Sequence, residues 1–176
     1  WQAISQDHQI EKTEGLVVAG EFLSSRLIEL MEVMNDRPNT LTHNDLHHGN
    51  ILLRKSHGLF QPVLIDWQLA AYAGGTNDLA KFLMTSVPFY VLLQREKNLV
   101  RYFVDCLQGN GITDYSFDEC WRDYRRAQVM VLANYAISGV RRSPNGKLGI
   151  SKGDSTTAVI RAFEIADPQE LVEILP

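Results

Sequence analysis

Cysteine is scarce in this chain, basic charge is not in excess, and no apolar run is long. Each shortage closes off a class of protein. The two cysteines among 176 residues, Cys106 and Cys120, have neither a metal-ligand spacing nor the density of a disulfide framework. Both fall in helix-like segments, which predicts free core thiols and fits a reducing, cytoplasmic setting. Lys and Arg number 17 against 21 Asp and Glu, a formal net charge of −4, whereas a general nucleic-acid binder needs a basic face. No uninterrupted apolar stretch is long enough to span a bilayer, and the start carries no signal-peptide pattern. Neither nucleic acid nor membrane is therefore expected as a partner. The first residue is Trp1 rather than a methionine, which fits a piece cut from a longer chain. What is present, 45% apolar and 22% charged residues, is ordinary for a globular protein, and residues 1–176 read as a single domain with one substantial core.

Leu16, Leu23, Leu27, Leu30 and Met34 recur at helical spacing, so a helix is predicted from about Ile10 to Asp36, with Gly15 and Gly20 weakening its early turns. Arg37-Pro38-Asn39 ends it, and Leu41-Thr42 leads into a polar loop. Asn50 to Arg54 and Pro62 to Ile65 read as two short strands around Lys55-Ser56-His57-Gly58, a hairpin. Everything after Asp66 reads as mostly helical. Thr76 or Asn77 is expected to cap a helix that Pro88 interrupts. A second helix is expected over Phe89 to Leu107, and a third from the capping box Ser116–Glu119 to about Gly139. Ser143 to Asp154, including Gly146-Lys147-Leu148-Gly149, reads as a surface loop. A last helical pair is divided near Asp167-Pro168, where Pro suits a first helical position. There are no internal repeats and no low-complexity tract.

The loop carries the chemistry. His43-Asn44-Asp45-Leu46-His47-His48-Gly49-Asn50 has the order H-x-D-L-x-x-x-N, and Ile65-Asp66-Trp67 follows after the hairpin. Moving a phosphoryl group requires positioning and charge neutralisation more than covalent help. An Asp in this pattern accepts the proton of the attacking hydroxyl, while an Asn and a second Asp hold Mg²⁺ through oxygen atoms. Hairpin geometry brings Asp66 back beside Asn50. By this pattern Asp45 is the candidate base, and Asn50 and Asp66 are the candidate metal ligands.

At these residues, roughly Leu41 to Leu83, the chain resembles the aminoglycoside phosphotransferase and choline kinase superfamily, including its ecdysteroid-kinase-like branch. His47 and Gly49 match that superfamily's H-x-D-L-H-x-G-N form, and Asn77-Asp78-Leu79-Ala80 is similar to its Asp-Leu-Ala segment. The resemblance implies an α+β fold, mainly α: a protein-kinase-like C-terminal lobe with a small β-hairpin at its catalytic centre. It implies ATP and Mg²⁺ as cofactors and a hydroxyl on a small molecule as acceptor. Asp45 would be the catalytic base, with His43 bracing the loop. Asn50 and Asp66 would hold the metal, His47 would lie near the phosphates, and Asp78 would support the loop from the next helix. No glycine-rich, β-rich segment precedes His43, so the N-terminal lobe that lids ATP is expected to belong to the same parent chain outside these residues.

Other readings share these residues. Ligands persist in pseudokinases, which would make this a non-catalytic binding module. His43, Asp45, His47 and His48 could instead surround Zn²⁺ in a hydrolase, although that leaves Asn50, the hairpin and Asp66 without roles. The stripe Trp121, Tyr124, Gln128, Val131, Tyr135 reads as core, with one end free to reach an acceptor. Arg122, Arg125 and Arg126, with Arg141 and Arg142, read as a solvated face rather than an anion site. A choline-like acceptor would want an aromatic cage and an aminoglycoside dense acids; neither stands out.

Overall fold

The computed structural model describes residues 13–142, 148–150, 159–160, 163 and 167–174. Helix α1 (Glu14–Asn35) starts where Thr13 accepts the Leu16 N–H on its hydroxyl, at 3.4 Å, and it buries Leu16, Ala19, Phe22 and Leu30. The expected turn at Ile10 lies outside the described residues. Past Arg37 and Pro38 comes strand β1 (Asn39–Thr42), then the polar loop. The hairpin follows, β2 (Ile51–Ser56) and β3 (Leu59–Leu64), with Ile51 opposite Leu64. Its turn places His57 at φ 48° and Gly58 at φ 80°, the two positive angles that match a tight turn to strand twist.

The stretch after Asp66 contains a strand that helical periodicity does not anticipate. β4 (Ala71–Gly74) pairs antiparallel with β1, Thr42 opposite Ala71 and Asn39 opposite Gly74. Four residues are too few for an alternating pattern to declare itself, and the partner lies about thirty positions away, so only the fold supplies the hydrogen bonds. β4 runs directly into helix α2 (Gly75–Ser86). The cap is therefore Gly74, without a side-chain bond, and neither Thr76 nor Asn77 caps the helix as expected.

Pro88 separates α2 from α3 (Phe89–Gly109), which ends at Asn110 and Gly111, the latter at φ 92°. Helix α4 (Phe117–Gly139) begins at the expected capping box: Ser116 N donates to Glu119 Oε2 at 3.0 Å and Glu119 N donates to Ser116 Oγ at 3.3 Å. β5 (Val140–Arg142) and β6 (Leu148–Ile150) form a second hairpin, so Leu148 and Gly149 belong to a strand rather than a surface loop. Residues 143–147 and 151–158 lie outside the described part. Helix α5 (Pro168–Ile174) opens on Pro168 as expected, and the other member of that helical pair lies mostly outside the described residues.

Helix α4 is the hub. Cys120, Trp121, Tyr124, Ala127, Val129, Val131 and Leu132 are buried on more than one of its faces, with α1, α2, α3 and α5 packed around it. Each large apolar side chain so buried contributes about 1.5–3 kcal/mol. The expected stripe is core from Trp121 to Val131, and Tyr135 is half-buried. Two surface expectations fail here. Arg125 is 3% exposed and bonded to Glu96 and Glu170 rather than solvated, because its side of α4 faces the helices packed around it. Arg126 is half-buried against Asp123, while Arg122 is exposed; the side chains of Arg141 and Arg142 lie outside the described part. Cys106 is exposed on α3 rather than in the core, whereas Cys120 is fully buried.

Candidate active site

The loop leaves β1 at Thr42, whose buried hydroxyl donates to Ala71 O at 3.0 Å and so locks the loop's base to β4. The chain then reverses through Asn44, held at φ 61°. Asn is among the few residues that tolerate this left-handed conformation. Asp78 in the first turn of α2 makes the reversal possible: its two oxygens accept the backbone N–H groups of His43 at 2.6 Å and Asn44 at 2.8 Å.

His43 is 1% exposed and both ring nitrogens are engaged. Nε2 lies 2.8 Å from Ile65 O, and the Asp45 N–H reaches Nδ1 at 3.3 Å. These bonds select the neutral tautomer with its proton on Nε2, which ties the loop to the residue before Asp66. The Trp67 ring lies against it, centroids 4.8 Å apart, and is itself 43% exposed.

Asp45 stands between three groups. Lys81 Nζ donates to Oδ1 at 2.6 Å, Asn50 Nδ2 lies 3.5 Å from Oδ2, and His47 Nε2 is 3.8 Å from the same oxygen. Burial pushes the Asp45 carboxyl up, but the Lys81 hydrogen bond and charge outweigh it, helped by His47. The group is held below the usual carboxylate range, ionised at neutral pH. Asn50 is buried and its Nδ2 donates to Asp45 O at 2.9 Å, which orients the amide and leaves its oxygen as the atom available to a cation.

Asp66 is exposed at the exit of β3, in the left-handed conformation at φ 64°. Such a residue costs about 1–3 kcal/mol and persists where the surroundings impose it. Its neighbour Ile65 donates to Asn50 O at 3.0 Å, which continues the hairpin register and brings the two candidate ligands to one end of the ladder. An amide oxygen and a free carboxylate suit Mg²⁺, which keeps most of its sites for waters and phosphates. The residues present fit that ion.

His47 accepts the Gly49 N–H on Nδ1 at 3.1 Å; a Cβ on Gly49 would meet the ring at 2.8 Å, so glycine lets the ring fold over the turn. His48 is exposed, and its backbone N–H donates to Ser86 Oγ at 2.8 Å. The four members of a zinc set do not converge. His43 has no nitrogen to offer, Asp45 is held by a cation, and no group of three His, Cys, Asp or Glu among the described residues is placed to hold a metal ion.

Sequence reasoning missed Lys81 and Ser86. Both lie on α2 with Asp78, and Lys81 is three positions on, which on a helix is the same face; that spacing was the signal available. Beside Lys81 opens a cavity of about 370 Å³ between α1, α2 and α4. Met31, Met34, Leu69 and Met130 form its apolar wall, and Asn44, Asn77 and Lys81 its polar edge. No carboxylate and no aromatic ring lines it among the described residues. Asn77 Oδ1 is buried there without a hydrogen-bond partner among the described residues. A larger cavity of about 530 Å³, around Glu96, Arg125 and Glu170, shares no residue with the loop, so chemistry rather than size selects the smaller one.

A family model described as the ecdysteroid kinase-like family matches residues 3–111, a span that includes the loop, the hairpin, Asp66, Asp78 and Lys81. No curated protein and no solved structure matches the chain at a significant level.

Proposed function

This chain belongs to the ecdysteroid kinase-like family, and from that premise we propose that it is the catalytic lobe of an ATP-dependent phosphotransferase acting on a hydroxyl of a neutral small molecule. One observation carries the reading. Asp45 and Asn50 are bonded at 2.9 Å within one loop, and the hairpin returns an exposed carboxylate, Asp66, to the end of the ladder that Asn50 opens.

The chemistry follows from those positions. Asp45, ionised, accepts the hydrogen of the acceptor hydroxyl and takes the proton as the new O–P bond forms and the bond from the γ-phosphorus to its bridging oxygen breaks, releasing ADP. Asn50 and Asp66 would hold Mg²⁺, which would supply charge neutralisation on the donor phosphates. His47, at the rim of the loop, would lie near those phosphates. His43 and Asp78 keep the loop in its reversed shape and touch no substrate. The acceptor enters from the cavity beside Lys81. Its wall of thioethers, aliphatic groups and amides, without acids or rings, favours a neutral apolar body over a cationic one. A family named for ecdysteroid kinases is consistent with such an acceptor.

We further propose that a nucleotide-binding lobe of the parent protein covers the hairpin. Its strands are exposed along most of their length, with Leu53 at 66% and Phe60 at 65%, an apolar surface of the kind that marks an interface. No helix among the described residues is long and apolar enough to cross a membrane, and a free buried thiol at Cys120 supports a cytoplasmic setting.

Calorimetric titration of Mn²⁺ with ATP, into this chain and into Asp66→Ala, tests the assignment. Binding that disappears in the variant supports it. Equal affinity in both proteins removes Asp66 from the metal site, and equal ATP turnover by Asp45→Asn in the full-length protein removes the kinase reading altogether.

A further inference from the structure

The loop from His43 to Asn50 contains an aspartate but no lysine or arginine. The only permanent positive charge bonded to Asp45 among the described residues comes from outside, from Lys81 on α2, at 2.6 Å. Both side chains are largely sheltered, Lys81 at 19% and Asp45 at 25% exposure, so the pair is screened less than a surface contact. The Lys81 ammonium also lies 5.5 Å from the centre of the Tyr135 ring on α4, which limits where its long side chain can go.

The pair has a direction. Lys81 occupies Oδ1, whereas Oδ2 has only the longer approaches of Asn50 and His47, at 3.5 and 3.8 Å. One oxygen of the carboxylate is fixed and the other retains accepting capacity. Helix α2 therefore holds the loop at three points. Asp78 takes the amides before the aspartate, Lys81 takes the aspartate itself, and Ser86 takes the amide of His48 beyond it. Lys81 also lines the cavity between α1, α2 and α4, so the residue that holds Oδ1 borders both the loop and the cavity.

We propose that Lys81 is a positioning residue for phosphoryl transfer: by holding Asp45 Oδ1 it fixes the carboxylate so that Oδ2 is the oxygen left to accept from the acceptor hydroxyl. The role rests on the kinase reading above. It acts through Asp45, and no contact of Lys81 with phosphate or acceptor is needed.

Two measurements test it, one of which does not depend on turnover. Amide hydrogen exchange is followed in this chain for wild type, Lys81→Met and Lys81→Arg. With the pin removed, Lys81→Met should exchange at least tenfold faster at the Asp45 amide, while the His43 and Asn44 amides, held by Asp78, stay within twofold. In an Asp45→Asn background Lys81→Met should add nothing. Unchanged exchange at Asp45, or the same acceleration in both backgrounds, overturns the pin. In the full-length protein, with Mg·ATP as donor and water as acceptor, Lys81→Met should lower kcat at least tenfold and leave KM for Mg·ATP within twofold, and Lys81→Arg should recover most of the loss. Equal or higher kcat in Lys81→Met overturns the positioning role. A wild-type protein that binds Mg·ATP but turns over neither water nor any acceptor overturns the kinase reading and this role with it, while the exchange data still decide whether the pin exists.

Discussion

Two clusters of acids and bases lie in this molecule, and they differ in what they leave unsatisfied. Around Arg125 the groups of the network are paired with one another, even where Glu96, Arg125 and Glu170 line the larger cavity. Glu96 Oε1 accepts from Tyr124 OH at 2.8 Å and Gln128 Nε2 at 2.9 Å, Arg125 donates to Gln128 Oε1 at 2.8 Å, and Glu170 takes Arg125 Nε together with the Trp121 indole N–H. Its central residues are at most 8% exposed by side chain, and burial, then the Glu96 charge, pushes the Tyr124 hydroxyl far up. Around Asp45 one oxygen is held by Lys81 and the other has only longer approaches, at 3.5 and 3.8 Å. Composition does not separate the two clusters, since both pair carboxylates with a basic side chain. Burial and pairing do: the Arg125 cluster uses its short hydrogen bonds to hold helices together, while a partly exposed carboxylate with a spare acceptor can work on a ligand.

That contrast can be broken from either side. The largest effect belongs to Asp45→Asn, which removes the base and keeps the shape. Phosphate transfer by the full-length protein should fall about 10²–10⁴-fold, with thermal unfolding of the variant close to wild type. Next comes Arg125→Met, which leaves Glu96 and Glu170 without their cation and should cost about 3–5 kcal/mol in urea unfolding; Lys81→Met, at a partly open pair, should cost no more than about 1 kcal/mol. If both cost the same, burial is not what distinguishes the clusters. Smaller again is Ser116→Ala, which opens the capping box of α4 and should cost about 1 kcal/mol by the same measurement. The smallest change is chemical. Iodoacetamide at neutral pH should label Cys106 in native protein and spare Cys120, whose thiol burial pushes up to about 11; mass spectrometry of the two peptides reads the difference.

The sequence makes the mainly helical α+β fold readable because its long helices carry strong periodicity, as in α4, and because punctuation such as Pro88 and Ser116–Glu119 is chemically explicit. The order of Asp45, Asn50 and Asp66 is readable for a similar reason: their spacing along the chain already implies a hairpin that folds back. The pairing of β1 with β4 is not readable, since four residues leave no pattern and the hydrogen bonds come from across the molecule. Arg125 looked solvated because a charged residue on a helix ordinarily faces water; only the packing of α3 and α5 around α4 shows that it does not. Lys81 shares a face of α2 with Asp78 by its spacing, but the approach of that face to the loop is not legible in the sequence. Had Thr76 or Asn77 been the cap, the residues sharing a face with Asp78 would have been the same, yet their distance from the loop could not have been known.

The direct passage from β4 into α2 has a consequence for how this protein tolerates change in length. Gly74 is both the last strand residue, opposite Asn39, and the cap of the helix, so no spacer absorbs an added residue. Each residue of an α-helix advances the chain by about 100° of rotation. A single insertion between Gly74 and Gly75 would turn Asp78, Lys81 and Ser86 away from the loop together, whereas the His57-Gly58 turn at the far end of the hairpin can lengthen without disturbing any of them. The strand–helix junction is thus a fixed gear in the chain, and length variation belongs at the hairpin tip.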